Sequence, residues 1–551
     1  MFKCEVHPTC HLTRGSSMHH TPLPSRRPSA SALLLGGIVA ACAAPAWAQT
    51  AEPEPGMWSF DGELDGRPGR SLHIDTQAGR TMAVSYLGYR ADGSSFFLQA
   101  AGIRPNTSST FDGTLSEFRN GPVIGGGAGQ GETAATAGPV KIVFDTPTTG
   151  TVTLPGDVPR RISRYQYEDP AVRLTRDSIA ADTFAGATQS SRTPHKIDMK
   201  LENGQLSMKI ETSAERRNCI YTGNIQPAGS GVSSDGTYLC TKDDGTQETG
   251  AYRAEHFMMQ ADGIFRGTLW RDGASTDLLG YCMGGAVFMD WPGLCPTARG
   301  FQTQPEPGIW GFEGEVSGRP GRSLQIDTQQ GRAMVVTYVG YRPDGSSLFL
   351  QAGGVRAEGD TAFTGNLQEY RNGPVLGGGT RSGEQAADLG PMRITFDSAT
   401  TGTVTLPGDT PRRIVRFQYE DLTARFNQTY RIRYAGGSTL GGAPSLQLKF
   451  QARDGQFQMV ENGGDGTGGC TYTGSYRFAG RSLVSPSGTY VCDGSGATGT
   501  YSNYQFEVDA GGHIVFYKSP RRVYGGGFCV RRTEEGSFRP CSTEELNTPA
   551  S

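Results

Sequence analysis

Histidine is scarce in this 551-residue chain: of eight in all, only His73, His195, His256 and His513 lie beyond residue 48. The second copy of the repeat described below carries Gln325 in place of His73, which excludes a duplicated histidine-centred site. His-Glu-x-x-His, the Gly-x-Ser-x-Gly elbow and the phosphate-cradling Gly-x4-Gly-Lys-Ser/Thr loop are missing too. No catalytic residue, cofactor site or metal site is therefore expected. Past residue 48 the chain also lacks an apolar run of the roughly 20 residues that a spanning helix needs, so no transmembrane segment is expected. Excess positive charge is absent as well. Setting aside the segment 1–48, with Lys3, Arg14, Arg26, Arg27 and Glu5, leaves 47 basic against 53 acidic residues, which argues against a nucleic-acid partner.

What residues 1–48 do contain is an export pattern. Arg26 and Arg27 precede an apolar run from Ala30 to Ala44, and Ala46-Trp47-Ala48 has the small-x-small form of a cleavage site. The mature chain is expected to begin at Gln49, in the periplasm or outside the cell. A competing reading takes Val39-Ala40-Ala41-Cys42 as a lipobox, which would make the protein a lipoprotein anchored through Cys42.

Glycine is abundant, at 79 residues, about twice the usual share. It has no collagen period and is interrupted by strand-like runs, which reads as a turn-rich all-β protein. The stretch GTVTLPGDVPRRI (150–162) returns as GTVTLPGDTPRRI (402–414) within a longer gapless match of Pro53–Asp169 to Pro305–Asp421. The chain is a tandem duplication, each copy comprising a well-matched A unit and a looser B unit. The expected organisation is an export signal (1–48), A1 (49–180), B1 (181–298), a linker (299–304), A2 (305–432), B2 (433–546) and a tail (547–551). Within A1, RTMAVSY and FFLQA flank a turn at ADGSS, and VKIVFDT and GTVTLPG flank a second, so each pair reads as a hairpin. The fold class expected is tandem antiparallel sandwiches or small barrels, with Trp58 and Trp310 as core plugs.

The B units carry a palindrome. Cys219, Tyr221 and Gly223 mirror Gly236, Tyr238 and Cys240, and Cys470, Tyr472 and Gly474 mirror Gly488, Tyr490 and Cys492. Opposed residues of an antiparallel pair keep a constant index sum, so this is the signature of a hairpin with cross-strand Cys-Cys and Tyr-Tyr pairs. Cys282 with Cys295 and Cys529 with Cys541 complete four expected bridges, all within B units, as suits an exported chain.

Six residues recur in both A units with chemistry suited to recognition: Arg70, Tyr89, Arg90, Arg119, Arg164 and Tyr167 return as Arg322, Tyr341, Arg342, Arg371, Arg416 and Tyr419. Guanidinium and phenol groups suit carbohydrate or carboxylate ligands, and all but the Arg119/Arg371 pair are taken as candidate ligand-binding residues. The competing reading pairs the arginines with acids such as Asp75, Glu168 or Asp169. Asp75 and Glu168, recurring as Asp327 and Glu420, are also the sort of carboxylate a glycosidase would need. Tyr165 becomes Phe417, so that position does not require its hydroxyl.

The A units resemble a secreted proteobacterial β-domain family of uncharacterised activity. The matching positions are Gly56, Trp58, Gly69, Arg70, Ile74, Gln77, Tyr86, Tyr89, Asp92 and Gly93, with the same set in the second copy. The chain departs from that pattern at Ser95 and Ser347, where proline is usual, and at Phe97 and Phe349, where tryptophan is usual. The resemblance implies compartment and fold rather than activity. The function expected is an exported, non-catalytic binding or adhesion protein with an envelope glycan or protein as partner. The alternatives are an envelope polysaccharide hydrolase using a carboxylate pair and a carrier of a small apolar ligand.

Overall fold

A computed structural model describes residues 52–548 apart from 186–192, 284–303, 435–445 and several shorter stretches. Residues 1–48, where the export segment and Cys42 are expected, and the cysteine Cys295 lie outside the described residues. Gln49–Ser551 forms one compact unit.

Four antiparallel barrels follow one another along the chain. The first closes eight strands from Gly56–Phe60 to Arg160–Arg164 by pairing the first strand with the last, Trp58 opposite Arg164. The second runs from Ser178–Ala185 to Ala274–Met283 and also closes on itself. Its first strand therefore begins just before the expected boundary at 181. The third, from Gly308–Phe312 to Arg412–Arg416, repeats the first. In the fourth, the strand Thr429–Tyr434 pairs with both Leu446–Arg453 and Arg522–Arg532, which turns most of a ten-stranded sheet into a ring. The described helices are single turns, Ala171–Leu174, Thr423–Phe426 and Thr543–Leu546.

Strand alternation decides what fills each barrel. In Thr81–Tyr89, Met82, Val84 and Tyr86 point inward, and they meet Leu98 and Ala100 of the return strand together with Val140, Ile142 and Phe144 of the second hairpin. Trp58 is fully buried with its ring edge-on to Phe144 at 5.6 Å, and Trp310 repeats this against Phe396. Both hairpins lie where the sequence places them, Tyr89 opposite Ser95 and Phe144 opposite Gly150. Closure matters because it leaves no open sheet edge within the ring.

In the B barrels the palindrome is the observed register. Cys219, Tyr221 and Gly223 lie opposite Cys240, Tyr238 and Gly236, and Cys470, Tyr472 and Gly474 opposite Cys492, Tyr490 and Gly488. The cross-strand disulfides Cys219–Cys240 and Cys470–Cys492 form with Cα atoms 3.9 Å apart, and Cys529–Cys541 ties the end of B2. The tyrosine pairs sit beside them, with ring centroids 5.8 and 5.7 Å apart. Each glycine pair is required sterically: a Cβ on Gly236 would lie 2.0 Å from the Thr222 carbonyl oxygen, and one on Gly488 2.2 Å from that of Thr473. Such bridges belong to an oxidising, periplasmic or extracellular setting.

Closing a loop of 21 residues, as Cys219–Cys240 does, stabilises a fold by about 3 kcal/mol through the restricted unfolded chain. Graded reduction of the folded protein should loosen the B barrels while the A barrels stay intact. Buried Trp58 and Trp310 emission should persist after thiol trapping has captured Cys219 and Cys240. Simultaneous loss of both signals would contradict this order.

Candidate functional site

The recurring arginines and tyrosines converge on one place, the seam where A1 packs against A2. Arg164, in the last strand of A1, donates from Nη1 and Nη2 to both carboxylate oxygens of Asp327 in A2, at 2.8 and 2.5 Å. Arg416 of A2 does the same to Asp75 of A1, at 2.8 and 2.6 Å. The side chains of all four are almost completely buried. Each aspartate also accepts from a backbone N–H across the seam, Asp327 from Met57 and Asp75 from Ile309, both at 2.9 Å. Burial pushes the Asp327 carboxyl up and the Arg164 guanidinium pulls against it. The paired, hydrogen-bonded geometry is what lets these charges stay out of water.

Several further contacts come as reciprocal pairs. Gln77 Nε2 donates to the Phe417 carbonyl, and Gln329 Nε2 to that of Tyr165. Position 165 thus serves through its backbone oxygen, which explains why phenylalanine replaces tyrosine in the second copy. The amides of Tyr167 and Glu168 donate to Gln329 Oε1, and those of Tyr419 and Glu420 to Gln77 Oε1. Glu168 accepts from the Ala333 amide and Glu420 from that of Thr81. Burial and the nearby Asp327 and Asp75 raise the phenols of Tyr167 and Tyr419 well above their ordinary value.

Arg90 pairs with Glu117 and reaches Ser347 Oγ at 2.9 Å, while Arg342 pairs with Glu369 and reaches Ser95 Oγ at 3.0 Å. Tyr89 meets Phe349 edge-on at 5.9 Å, and Tyr341 meets Phe97 at 6.1 Å. Ser95, Ser347, Phe97 and Phe349 all lie in this seam.

Arg70 and Arg322 have a neighbouring task. Arg70 clamps Glu63 and Asp157 of its own barrel at 2.8 and 3.0 Å, fixing the LPGD turn of the repeated stretch. Arg322 clamps Glu315 and also donates to the Val123 carbonyl of A1. Val123 belongs to an arm, the loop following the strand Thr110–Arg119. Ile124 of this arm packs against the core of the A2 barrel, and Leu376 of the matching A2 arm packs against the core of A1. Gly121 admits the flat face of Tyr341, since a Cβ there would lie 2.0 Å from the ring. Arg412 Nη2 holds the Gly126 carbonyl and Arg160 Nη2 that of Gly378. The duplicated LPGD-x-PRR stretch is therefore the socket for the other copy's arm.

The candidate ligand-binding residues are thus brought together as joinery. Arg70, Tyr89, Arg164, Arg322, Tyr341 and Arg416 are buried, Arg90, Arg342, Tyr167 and Tyr419 half-buried, and the arginines are engaged with acids or carbonyls. The reading that paired arginines with acids accounts for them, the acid lying in the other copy for Arg164 and Arg416 and in the same copy for Arg70, Arg90, Arg322 and Arg342. Of the recurring set only Arg119 and Arg371 are exposed, each paired with the acid directly opposite it on the next strand, Glu132 and Glu384. Among the described residues no cluster of His, Cys, Asp and Glu could hold a metal.

Two further joints were not foreseen from sequence. Glu54, just before the first strand, accepts from the Ser230 amide and faces His256 Nε2 at 3.0 Å, tying A1 to B1. Burial alone would raise its carboxyl, yet Arg164 and His256 bring it down to about 2. Arg266 of B1 donates to Asp509 of B2 at 2.6 Å, and Asp509 also holds His513.

The fold defines the class: tandem eight-stranded antiparallel barrels, disulfide-bonded in the B units, with A units paired about a pseudo-twofold axis. No protein-family model matches this chain, and no curated protein matches it.

Removing one member of a buried pair strands its partner's charge, at a cost of about 3–5 kcal/mol. Arg164→Met should destabilise the seam by that amount, and the double variant Arg164→Met, Asp327→Leu should recover most of it. Arg416→Met with Asp75→Leu should behave alike. Urea unfolding of both single variants and the double variant of each pair measures the coupling, and additive effects would remove the pair from its central place.

Because the Glu54 carboxyl is held below its ordinary value, its contribution is complete above about pH 4.5 and is lost as pH falls towards 2. Hydrogen exchange at the Ser230 amide should accelerate over that window, and Glu54→Gln should abolish the pH dependence.

Proposed function

We propose that the protein is an exported, non-catalytic binding or adhesion protein of the bacterial cell envelope or extracellular space, with an envelope glycan as the ligand class its surface suits best. The observation that carries this reading is the use made of the recurring acids. Asp75, Asp327, Glu63, Glu315, Asp157, Asp409, Glu54 and Glu306 are each buried or nearly so against arginine. A glycosidase needs two carboxylates facing each other across an open cleft, and these are committed to holding barrels and turns. The A-barrel interiors are packed with aromatic and aliphatic side chains, which speaks for a scaffold rather than a carrier.

A scaffold binds through its outer faces. Trp270, on the outer side of B1, is the one described tryptophan that is not fully buried. Its indole N–H donates to Glu255 at 2.8 Å, and Arg253 lies over the ring at 5.1 Å. An indole beside a guanidinium and a carboxylate offers an apolar face with hydrogen-bonding groups at its rim, the combination a pyranose ring requires.

The test is retention of the mature chain on immobilised envelope polysaccharides, comparing wild type with Trp270→Ala and with Arg119→Ala as an exposed control. Trp270→Ala should weaken retention about tenfold, the equivalent of about 1.4 kcal/mol, and Arg119→Ala should not. Release of new reducing ends would favour the hydrolase. Absence of retention on every polymer would remove the glycan reading.

A further inference from the structure

The described histidine side chains share a location that the proposed function does not use: each sits at a joint between barrels. His73 lies in the A1–A2 seam, His256 between A1 and B1, and His513 on the acid that joins B2 to B1. The last two face carboxylates, so a proton on either ring meets an acceptor. For His513 burial opposes the charged form, but Asp509 outweighs it and the imidazole is raised. His73 is the opposite case.

His73 is 2 % exposed, and neither ring nitrogen has a hydrogen-bond partner. On its strand it lies opposite Met57 on one side and Ser85 on the other. The charged groups that bear on it are Arg164 from its own barrel and Arg416 from A2. The acids near these arginines, Asp327 with Glu54 and Asp75 with Glu306, are already taken by them. Ser85 is committed as well, accepting from Gln325 Nε2 of A2, the residue that stands in the second copy where His73 stands in the first. A proton on His73 would add a third cation beside two guanidinium groups, on a ring whose nitrogens make no hydrogen bond in the closed seam.

We propose that the A1–A2 seam is an acid-responsive joint, with His73 as its sensor. While the seam is closed the imidazole is neutral, because burial first and then the two arginines push it down to about 3. Once the seam opens, the ring meets water and regains its ordinary value near 6.5. The open form therefore binds a proton that the closed form refuses, and opening becomes more favourable as pH falls through 6.5, by about tenfold per pH unit. The contribution of His513, raised in the folded protein, has the opposite sign: it is present at low pH and lost as pH rises. Acidification thus weakens the A joint while the B1–B2 joint keeps its hold. Opening the A joint frees the arms and uncovers Leu87, Tyr89, Phe97, Val339, Tyr341 and Phe349.

His73→Gln gives the first copy the residue that the second already accommodates at this depth. In the full mature chain, the amides of Met57 and Ile309 report seam opening, since they donate across it to Asp327 and Asp75. Their hydrogen exchange, corrected for the intrinsic rate, should show wild-type opening rising relative to the variant by about tenfold between pH 7.5 and 5.5, and about a hundredfold by pH 4.5. Parallel pH profiles for the two proteins would overturn the proposal. Should the variant fail to fold, histidine ring NMR of the wild type decides the matter. A His73 ring that stays neutral below pH 5 supports the sensor, and one that titrates near 6.5 in the closed protein overturns it.

Discussion

Two buried arginine–aspartate pairs, exchanged between the copies, are the constraint on which the rest of this molecule depends. A buried ion pair seldom adds net stability, because desolvation takes back most of the Coulombic gain. Its strength is directional: a guanidinium fork satisfies one carboxylate in one orientation. Arg164 on Asp327 and Arg416 on Asp75 therefore fix the angle and register at which the two A barrels meet. The apolar cluster around Tyr89, Phe97, Tyr341 and Phe349 supplies the burial. The same guanidinium groups organise the next joint, since Arg164 also lies 3.2 Å from Glu54, which holds B1.

The arms make this more than a face-to-face contact. Each is the tip of a long hairpin of its own barrel and lays an aliphatic residue, Ile124 or Leu376, against the core of the other. The sockets that receive them, the LPGD turns, are set by Arg70 and Arg322 from within their own barrels. Turn chemistry, barrel closure and inter-barrel docking are thus linked through a few arginines. That linkage explains why recurring polar residues that suit a ligand in their chemistry are found holding protein to protein.

Much of the fold could be read from residues alone, because its signals are local. Alternation gives the hairpins, and the cysteine–tyrosine palindromes give the B registers to the residue, since cross-strand pairing imposes a constant index sum. The candidate site was legible only as a set. Recurrence identifies Arg164, Arg416, Tyr167 and Tyr419 as constrained, yet a residue meeting a partner in its own copy and one meeting the equivalent partner in the other copy leave the same pattern at the same spacing. Nothing local distinguishes Arg164 on Asp75 from Arg164 on Asp327. The Gly-rich arm was equally ambiguous, for a glycine run reads as a loop until the ring of Tyr341 is seen against Gly121. Glu54 and His256, 202 residues apart, carry no sequence signal of their contact.

The uneven divergence of the copies follows from the symmetry of what they contact. In the A seam the Arg–Asp, Gln–carbonyl, Glu–amide and Arg–Ser contacts are each used twice, once from either side, so a substitution there must fit the other copy's unchanged partner, and a compensating change has to arise in a second unit. The positions that differ act through the backbone, such as 165 and 417, fill one off-centre spot, such as His73 and Gln325, or exchange one apolar side chain for another, such as Leu87 for Val339 and Ile124 for Leu376. The B1–B2 joint has no such reciprocity among its described contacts: Arg266 meets Asp509, and the shared cluster takes Ile264 and Leu279 from one barrel and Val515, Tyr517 and Phe528 from the other. With the disulfides securing each hairpin locally, B1 and B2 can change separately, whereas A1 and A2 hold each other to a common sequence.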